Sequence, residues 1–332
     1  MQFKTTLTTP HLGLELKHEH RILAFGSCFS EYMMQQLRHY KFDCLSNTHG
    51  ILFSPVAIFN ALADVFSVKK YQISDLEQKE DGTFFNFNLH SIYNDPNPER
   101  LVETINTQIE KANFYLENGQ YLFLTLGSAW IYQHRETEKY VANCHGQPNY
   151  LFEKMLIKPE LLLEAFNNLL TAIHQKNKQL KIIFTLSPVR HLKDGFIENQ
   201  RSKAILLYFI HELIEQLPFC YYFPAYEILM DDLRDYRFYK EDLLHPSDMA
   251  LQYIWEQFET CFFSPFTQNI VKKIQALQKN LAHEPFQKNE KYALFLQKNK
   301  AIIEVLEVEL PFVSFITEKK LIEERSQMLY KM

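Results

Sequence analysis

Glycine is scarce in this chain. Only 8 of its 332 residues are Gly, which excludes a collagen-like repeat, a Gly-rich disordered chain and the glycine loops that cradle phosphates. Cysteine is also sparing. Cys28, Cys44, Cys144, Cys220 and Cys261 are odd in number, far apart and form no CxxC pair. That pattern suits reduced thiols in a cytoplasmic protein better than a disulfide framework. No apolar run is long enough to span a bilayer. The opening MQFKTTLTTPHLGLELKHEHRIL has neither an apolar stretch after its Lys nor a small-residue cleavage site, so no secretory signal is expected. Basic residues form no long run and the net charge is -5, which speaks against a nucleic-acid partner.

What is present is apolar and aromatic: 46% hydrophobic residues, with 28 Phe and 18 Tyr. The length suits one large α/β domain plus an appendage. Arg21–Phe25 reads as a short buried strand that stops at Gly26-Ser27-Cys28, with helical spacing of Met33, Met34 and Leu37 over Ser30–Tyr40. Asn47–Gly50 reads as a loop, and Pro55 as the first turn of a helix through Leu62. Residues 72–93 alternate around an Asp81-Gly82 turn, a hairpin signature. Leu101–Asn118, residues 159–178, Arg201–Gln216 and HPSDMALQYIWEQF read as helices. YLFLTL, LKIIFTL and CYYF read as strands.

Continuous apolar strands that alternate with helices predict a mainly parallel sheet covered on both faces, an α/β/α sandwich. In such sheets ligands collect at the carboxyl ends of the strands. The unusual stretches all fall there: Gly26-Ser27-Cys28, Gly127-Ser128-Ala129-Trp130, Ser187-Pro188-Val189-Arg190-His191 and Asp242–His245. From about Thr267 the texture becomes Lys-, Glu- and Gln-rich with helical apolar spacing, broken near Pro285 and Pro311. The expected division is 1–262 for the α/β domain and 263–332 for a helical extension that covers an edge, forms a lid or makes a homodimer.

Ser27 at a strand-to-helix turn would present an exposed hydroxyl, with helix amides beside it for developing negative charge. It could equally cap the helix. Cys28 is a second nucleophile candidate, or a small packed thiol. Asp242, three residues before His245, can orient that ring and leave its far nitrogen as a base. The bland alternative is a loop Asp ahead of a helix capped by Ser247 or Asp248. Arg190 could hold a carboxylate or phosphate, or pair with Asp194 or Glu198. His145 and Gln147 could bind sugar hydroxyls. The metal-capable atoms of Cys144, His145 and His191 match no zinc spacing, so no metal or other cofactor is expected. The dense charges at Asp231, Asp232, Arg234, Asp235 and Arg237 read as a salt-bridged surface.

GSCFS, TLGSAWIY, VANCHGQPNY, SPVRHLKDGFIENQRSKA and YFPAYEILMDDLRDYRFYKEDLLHPSD together resemble the GSCFA family, a bacterial group allied to the SGNH (GDSL-like) hydrolases, over roughly Phe25 to Phe258. The resemblance implies an SGNH hydrolase-like three-layer fold with Ser27 as nucleophile, His245 as base and Asp242 as its orienting partner. It implies oxyanion donors from the Ser27 amide, from Gly50 and from an Asn. Ala129 stands where that Asn is expected, and Asn143 is the substitute considered, against a plain turn role. The activity implied is that of a serine esterase or acyltransferase on an O-acyl ester, such as the O-acetyl groups of a carbohydrate. The alternative is a non-catalytic ligand- or carbohydrate-binding protein on the same scaffold.

Overall fold

The computed structural model describes residues 5–9, 12–283 and 289–330. Its centre is a five-stranded parallel sheet of β1 (Arg21–Gly26), β2 (Asp43–Ser46), β3 (Tyr121–Leu126), β4 (Lys181–Leu186) and β5 (Cys220–Tyr222). Their spatial order is β5-β4-β3-β1-β2. The main helices are α1 (Cys28–His39), α2 (Pro55–Phe66), α3 (Pro98–Asn118), α4 (Glu160–Lys176), α5 (Phe196–Gln216), α6 (Asp248–Phe262), α7 (Pro265–Ala282), α8 (Glu290–Glu309) and α9 (Ile316–Tyr330).

Side chains alternate across the pleat, so each strand serves two cores. Ile22, Ala24, Tyr121, Phe123 and Ile183 pack against α1 and α6. Leu23, Phe25, Leu122, Leu124, Ile182 and Phe184 pack against α2 to α5. The result is the expected three-layer α/β/α sandwich. Strands buried on both faces have no polar side to show, which is why they read as unbroken apolar runs. The edge strand β2, DCLS, carries no such run and no strand signal of its own.

Local chemistry sets the helix starts. Ser54 accepts from the Ala57 N–H with Pro55 at the first turn, and Ser247 caps α6 by accepting from the Ala250 N–H. α5 starts at Phe196, five residues earlier than its periodicity suggested, after Gly195 in a positive-φ conformation. Two insertions were only partly foreseen. The hairpin of Glu77–Gln78 with Phe84–Phe85 turns at Asp81-Gly82 as expected. An antiparallel sheet of Trp130–His134, Tyr140–Val141 and Phe152–Leu156 follows β3. Its short, half-polar strands give little alternation to read.

The apolar stripes of α7 to α9 face the chain's own core. Ile270, Ile274, Leu277, Leu296, Ile303, Leu306 and Phe315 join one cluster with Met33, Leu37 and Trp255 of the α1/α6 layer. Glu318 of α9 pairs with Lys41 at 2.6 Å. Pro311 lies in the turn between α8 and α9, while Pro285 lies outside the described residues. Ile303 is 0% exposed, so Ile303→Ala should cost about 2–4 kcal/mol, measurable as a lower denaturant midpoint with an unchanged slope.

One glycine decides the geometry at the sheet's centre. Gly26 ends β1 at φ +151°, and a Cβ there would lie 2.4 Å from Thr125 O and 2.7 Å from Thr125 Cβ on β3. Both objects are backbone-anchored and cannot step aside. Gly26→Ala should therefore destabilise by about 3 kcal/mol, read as a fall in melting temperature.

Candidate active site

In this strand order the connections leave in opposite directions from β1 and β3, which places the topological switch point between them. Ser27 follows β1 and Gly127 follows β3. Gly26 is in register with Thr125, and Thr125 with Thr185. Three loops therefore meet at one sheet end, with neighbouring strands roughly 4.8 Å apart.

Ser27 occupies the N-cap position of α1 in an extended conformation (φ -72°, ψ 177°), yet its hydroxyl accepts no helix amide. Its Oγ is buried and has no hydrogen-bond partner. Capping therefore does not account for it. The expectation of an exposed oxygen is overturned, because Ser27 is 0% exposed. At the same sheet end two loops are tied together: the Gly127 and Ser128 N–H groups both donate to Phe53 O (2.8 and 3.0 Å).

A polar brace unnoticed in the sequence holds the turn. The Gly26 N–H donates to Asn47 Oδ1 (2.9 Å), and Asn47 Nδ2 donates to Glu31 Oε2 (2.9 Å). Ser46 Oγ donates to the same carboxylate and Arg38 pairs with it. Burial alone would push the Glu31 carboxyl up, but the hydrogen bonds from Ser46 and Asn47 and the Arg38 charge outweigh it and hold the group below its ordinary value. Cys28, the first residue of α1, has its thiol pushed up by burial, the opposite of an activated thiolate.

At the other end of the chain, His245 Nδ1 donates to Asp242 Oδ2 at 2.6 Å. Asp242 Oδ1 accepts the Leu244 and His245 N–H groups at 2.8 and 3.0 Å. These backbone bonds, then the ring, hold the carboxyl down at about 2. The pair leaves His245 Nε2 as the free nitrogen. The loop is tied to the sheet end by the Arg190 N–H, which donates to Leu244 O (3.1 Å), and the His245 charge is felt at His191. No hydrogen bond joins His245 to Ser27 Oγ.

His191 is half-buried at the ends of β3 and β4, with its Nε2 atom buried. Its ring meets Phe53 edge-on, and its Nε2, without a partner, is 3.3 Å from where a Gly127 side chain would begin. Burial first, then the Lys203 and His245 charges, lowers its pKa to about 4, so the ring is neutral near pH 7. Arg190 pairs with neither Asp194 nor Glu198. Those carboxylates are taken by Lys154 and Arg201, and the guanidinium lies over Tyr239 (4.2 Å) and Tyr236 (5.2 Å). Arg237 pairs with Asp235.

Three sequence candidates are engaged elsewhere. The Gly50 N–H donates to Asn47 O (2.7 Å) inside its own turn, with His90 packed where a side chain would stand. Asn143 Oδ1 accepts the His145 N–H (2.7 Å), the local turn bond that polar residues make in loops. The His145 ring bonds Asn94 Oδ1 and Leu89 O and stacks on Phe85, stapling the insertions together. A cleft of about 500 Å³ between the insertions is lined by Phe87, Asn88, His134, Tyr140 and Gln147 among others, and by none of the strand-end residues. Among the described residues no cluster of His, Cys, Asp and Glu could hold a metal, and no helix is long and apolar enough to cross a membrane.

Comparison with known families adds one match: the GSCFA family, over residues 21–258. A comparison with curated proteins gave no match.

Proposed function

The chain belongs to the GSCFA family, and from that premise we propose that it is an SGNH-type serine esterase or acyltransferase acting on an O-acyl ester. The observation that carries this reading is a buried serine hydroxyl without a partner, at the switch point of the sheet. A His–Asp pair already in the oriented tautomer is tied to the neighbouring strand-end loop. A buried hydroxyl left unbonded costs stability, and the site is where such a cost serves chemistry.

In the proposed reaction the Asp242 carboxylate fixes the His245 ring, and His245 Nε2 takes the Ser27 proton as Oγ bonds to the acyl carbon. The carbonyl oxygen becomes an oxyanion, and its collapse expels the alkoxide, which receives that proton. Water or a second hydroxyl then releases the acyl group. Because Ser27 is 0% exposed, the reaction requires a local opening that admits substrate to its hydroxyl. The preferred substrate, a carbohydrate O-acetyl group, rests on fold-level analogy. A cytoplasmic setting fits the five free cysteines. A homodimer through the C-terminal helices is not needed to bury their stripes.

The test is release of acetate from O-acetylated oligosaccharides and nitrophenyl acetate, comparing wild type with His245→Ala. The reading expects turnover by wild type and its loss in the variant. Equal rates would remove it. The second reading, a non-catalytic carbohydrate-binding protein, is favoured by the covered Ser27, by the missing Ser27–His245 bond and by Ala129. It expects no turnover but retained ligand binding in both proteins.

A further inference from the structure

Every backbone amide in the Gly127–Trp130 loop is already used. Those of Gly127 and Ser128 go to Phe53 O, that of Ala129 to Ser202 Oγ (2.7 Å) and that of Trp130 to Ser128 Oγ (3.1 Å). Ala129 offers no side-chain donor, Asn143 is spent in its turn and Asn47 in its brace. Beside the Ser27 amide, a side-chain donor to an oxyanion formed at Ser27 therefore has to come from elsewhere. Among the described residues, the buried side-chain atoms without a hydrogen-bond partner include three just past strand ends: Ser27 Oγ after β1, Trp130 Nε1 after β3 and His191 Nε2 after β4.

His191 is held by an unusual helix face. Asn199, Ser202 and Lys203 of α5 are spaced i, i+3, i+4 and share one side of the helix. All three are buried, at 4, 2 and 2% exposure. Asn199 Oδ1 accepts the His191 N–H (2.9 Å). Ser202 takes the Ala129 N–H. Lys203 Nζ donates to Gly127 O (2.9 Å) and Ser187 O (2.7 Å), which locks the β3 and β4 ends to one another. Burial lowers the Lys203 pKa to about 7. A fully buried lysine committed to two loop carbonyls is a costly way to hold a fold, and every bond this face makes ends in a loop that surrounds His191.

Building on the esterase reading, we infer that His191 is the side-chain oxyanion donor, its Nε2–H bonding the acyl oxygen, and that Asn199 and Lys203 are positioning residues that hold it there. The ring reaches from the β4 loop to the Gly127 position, just past the end of β3, and β3 pairs with β1, the strand that Ser27 follows. Gly127 leaves the gap that the acyl oxygen enters. A neutral imidazole serves as donor without competing with His245 for the proton.

The test uses the full chain and nitrophenyl acetate, with fluorophosphonate labelling of Ser27 run in parallel. His191→Leu should lower kcat about 10²–10³-fold with KM nearly unchanged, the signature of a bond made in the transition state. His191→Gln, which keeps a donor at similar reach, should recover to within about tenfold. Asn199→Leu should lower kcat about tenfold in the wild-type background and not at all in the His191→Leu background, a coupling that a merely structural role would not give. Where the leucine variant fails to fold, His191→Phe carries the same expectation. Wild-type rates in His191→Leu, or a larger loss in Trp130→Phe, would overturn the assignment while Ser27 still labels. Absence of any Ser27 adduct in wild type would instead remove the esterase reading, and this inference with it.

Discussion

Replacing Ser27 by alanine is expected to lower ester turnover about 10⁴-fold while making the protein slightly more stable. The two effects have one origin. Ser27 Oγ is buried and unbonded, a desolvated hydroxyl that costs about 1–3 kcal/mol in the folded state. Alanine keeps the backbone and removes the cost, so the melting temperature should rise by about 2 °C. A hydroxyl that served as a helix cap would do the reverse, because losing a cap costs about 1 kcal/mol. Thermal unfolding monitored by circular dichroism, beside initial rates on nitrophenyl acetate, separates the cases. A drop in melting temperature would mean that the hydroxyl has a structural partner. Unchanged turnover would mean that it is no nucleophile.

The second large effect belongs to Asp242→Asn, expected to lower kcat about 10³–10⁴-fold with KM little changed. The carboxylate accepts from His245 Nδ1 and from two backbone amides. An amide in its place can present an N–H to the ring and so favour the tautomer with the hydrogen on Nε2, the atom that must take the Ser27 proton. The same group gives a pH signature. Folding depresses its pKa to about 2, so its stabilising contribution is fully present above its unfolded value near about 3.9 and is lost as pH falls through about 2. Wild type should lose stability over that acid window relative to Asp242→Asn, and equal acid profiles would contradict the described bonding. Asp242 is exposed, so solvent screens the effect.

The parts of the fold that could be read from the sequence are those where one physical requirement dominates. β1, β3 and β4 are covered on both faces, so burial alone dictates their residues. Edge strand β2 and the strands around Trp130–Leu156 answer to several weak requirements and carry no clear pattern. The site divides in the same way. Ser27 and the Asp242–His245 spacing are local signatures, and the local bonds between Asp242 and His245 formed as expected. Gly50 and Asn143 have the right chemistry, but backbone groups in their own turns claimed their hydrogen bonds, and His145 is taken by Asn94 and Leu89 of the hairpin insertion. Lys203 carries no signal in the sequence, because a lysine in a helical repeat reads as a solvated face. Its burial depends on two carbonyls supplied by strand ends 76 and 16 residues away, and only the tertiary structure brings these to it. Six polar residues in a row, Glu198 to Lys203, carry no periodic sign of which three are buried.

The central claim is that Ser27 attacks and His245 takes its proton. Peptide mapping by mass spectrometry after treatment with a fluorophosphonate tests it most directly. A single adduct on Ser27 is expected, with none on Cys28, and its formation should be strongly slowed in His245→Ala. An adduct on another residue, or one on Ser27 that forms equally fast without His245, would contradict it.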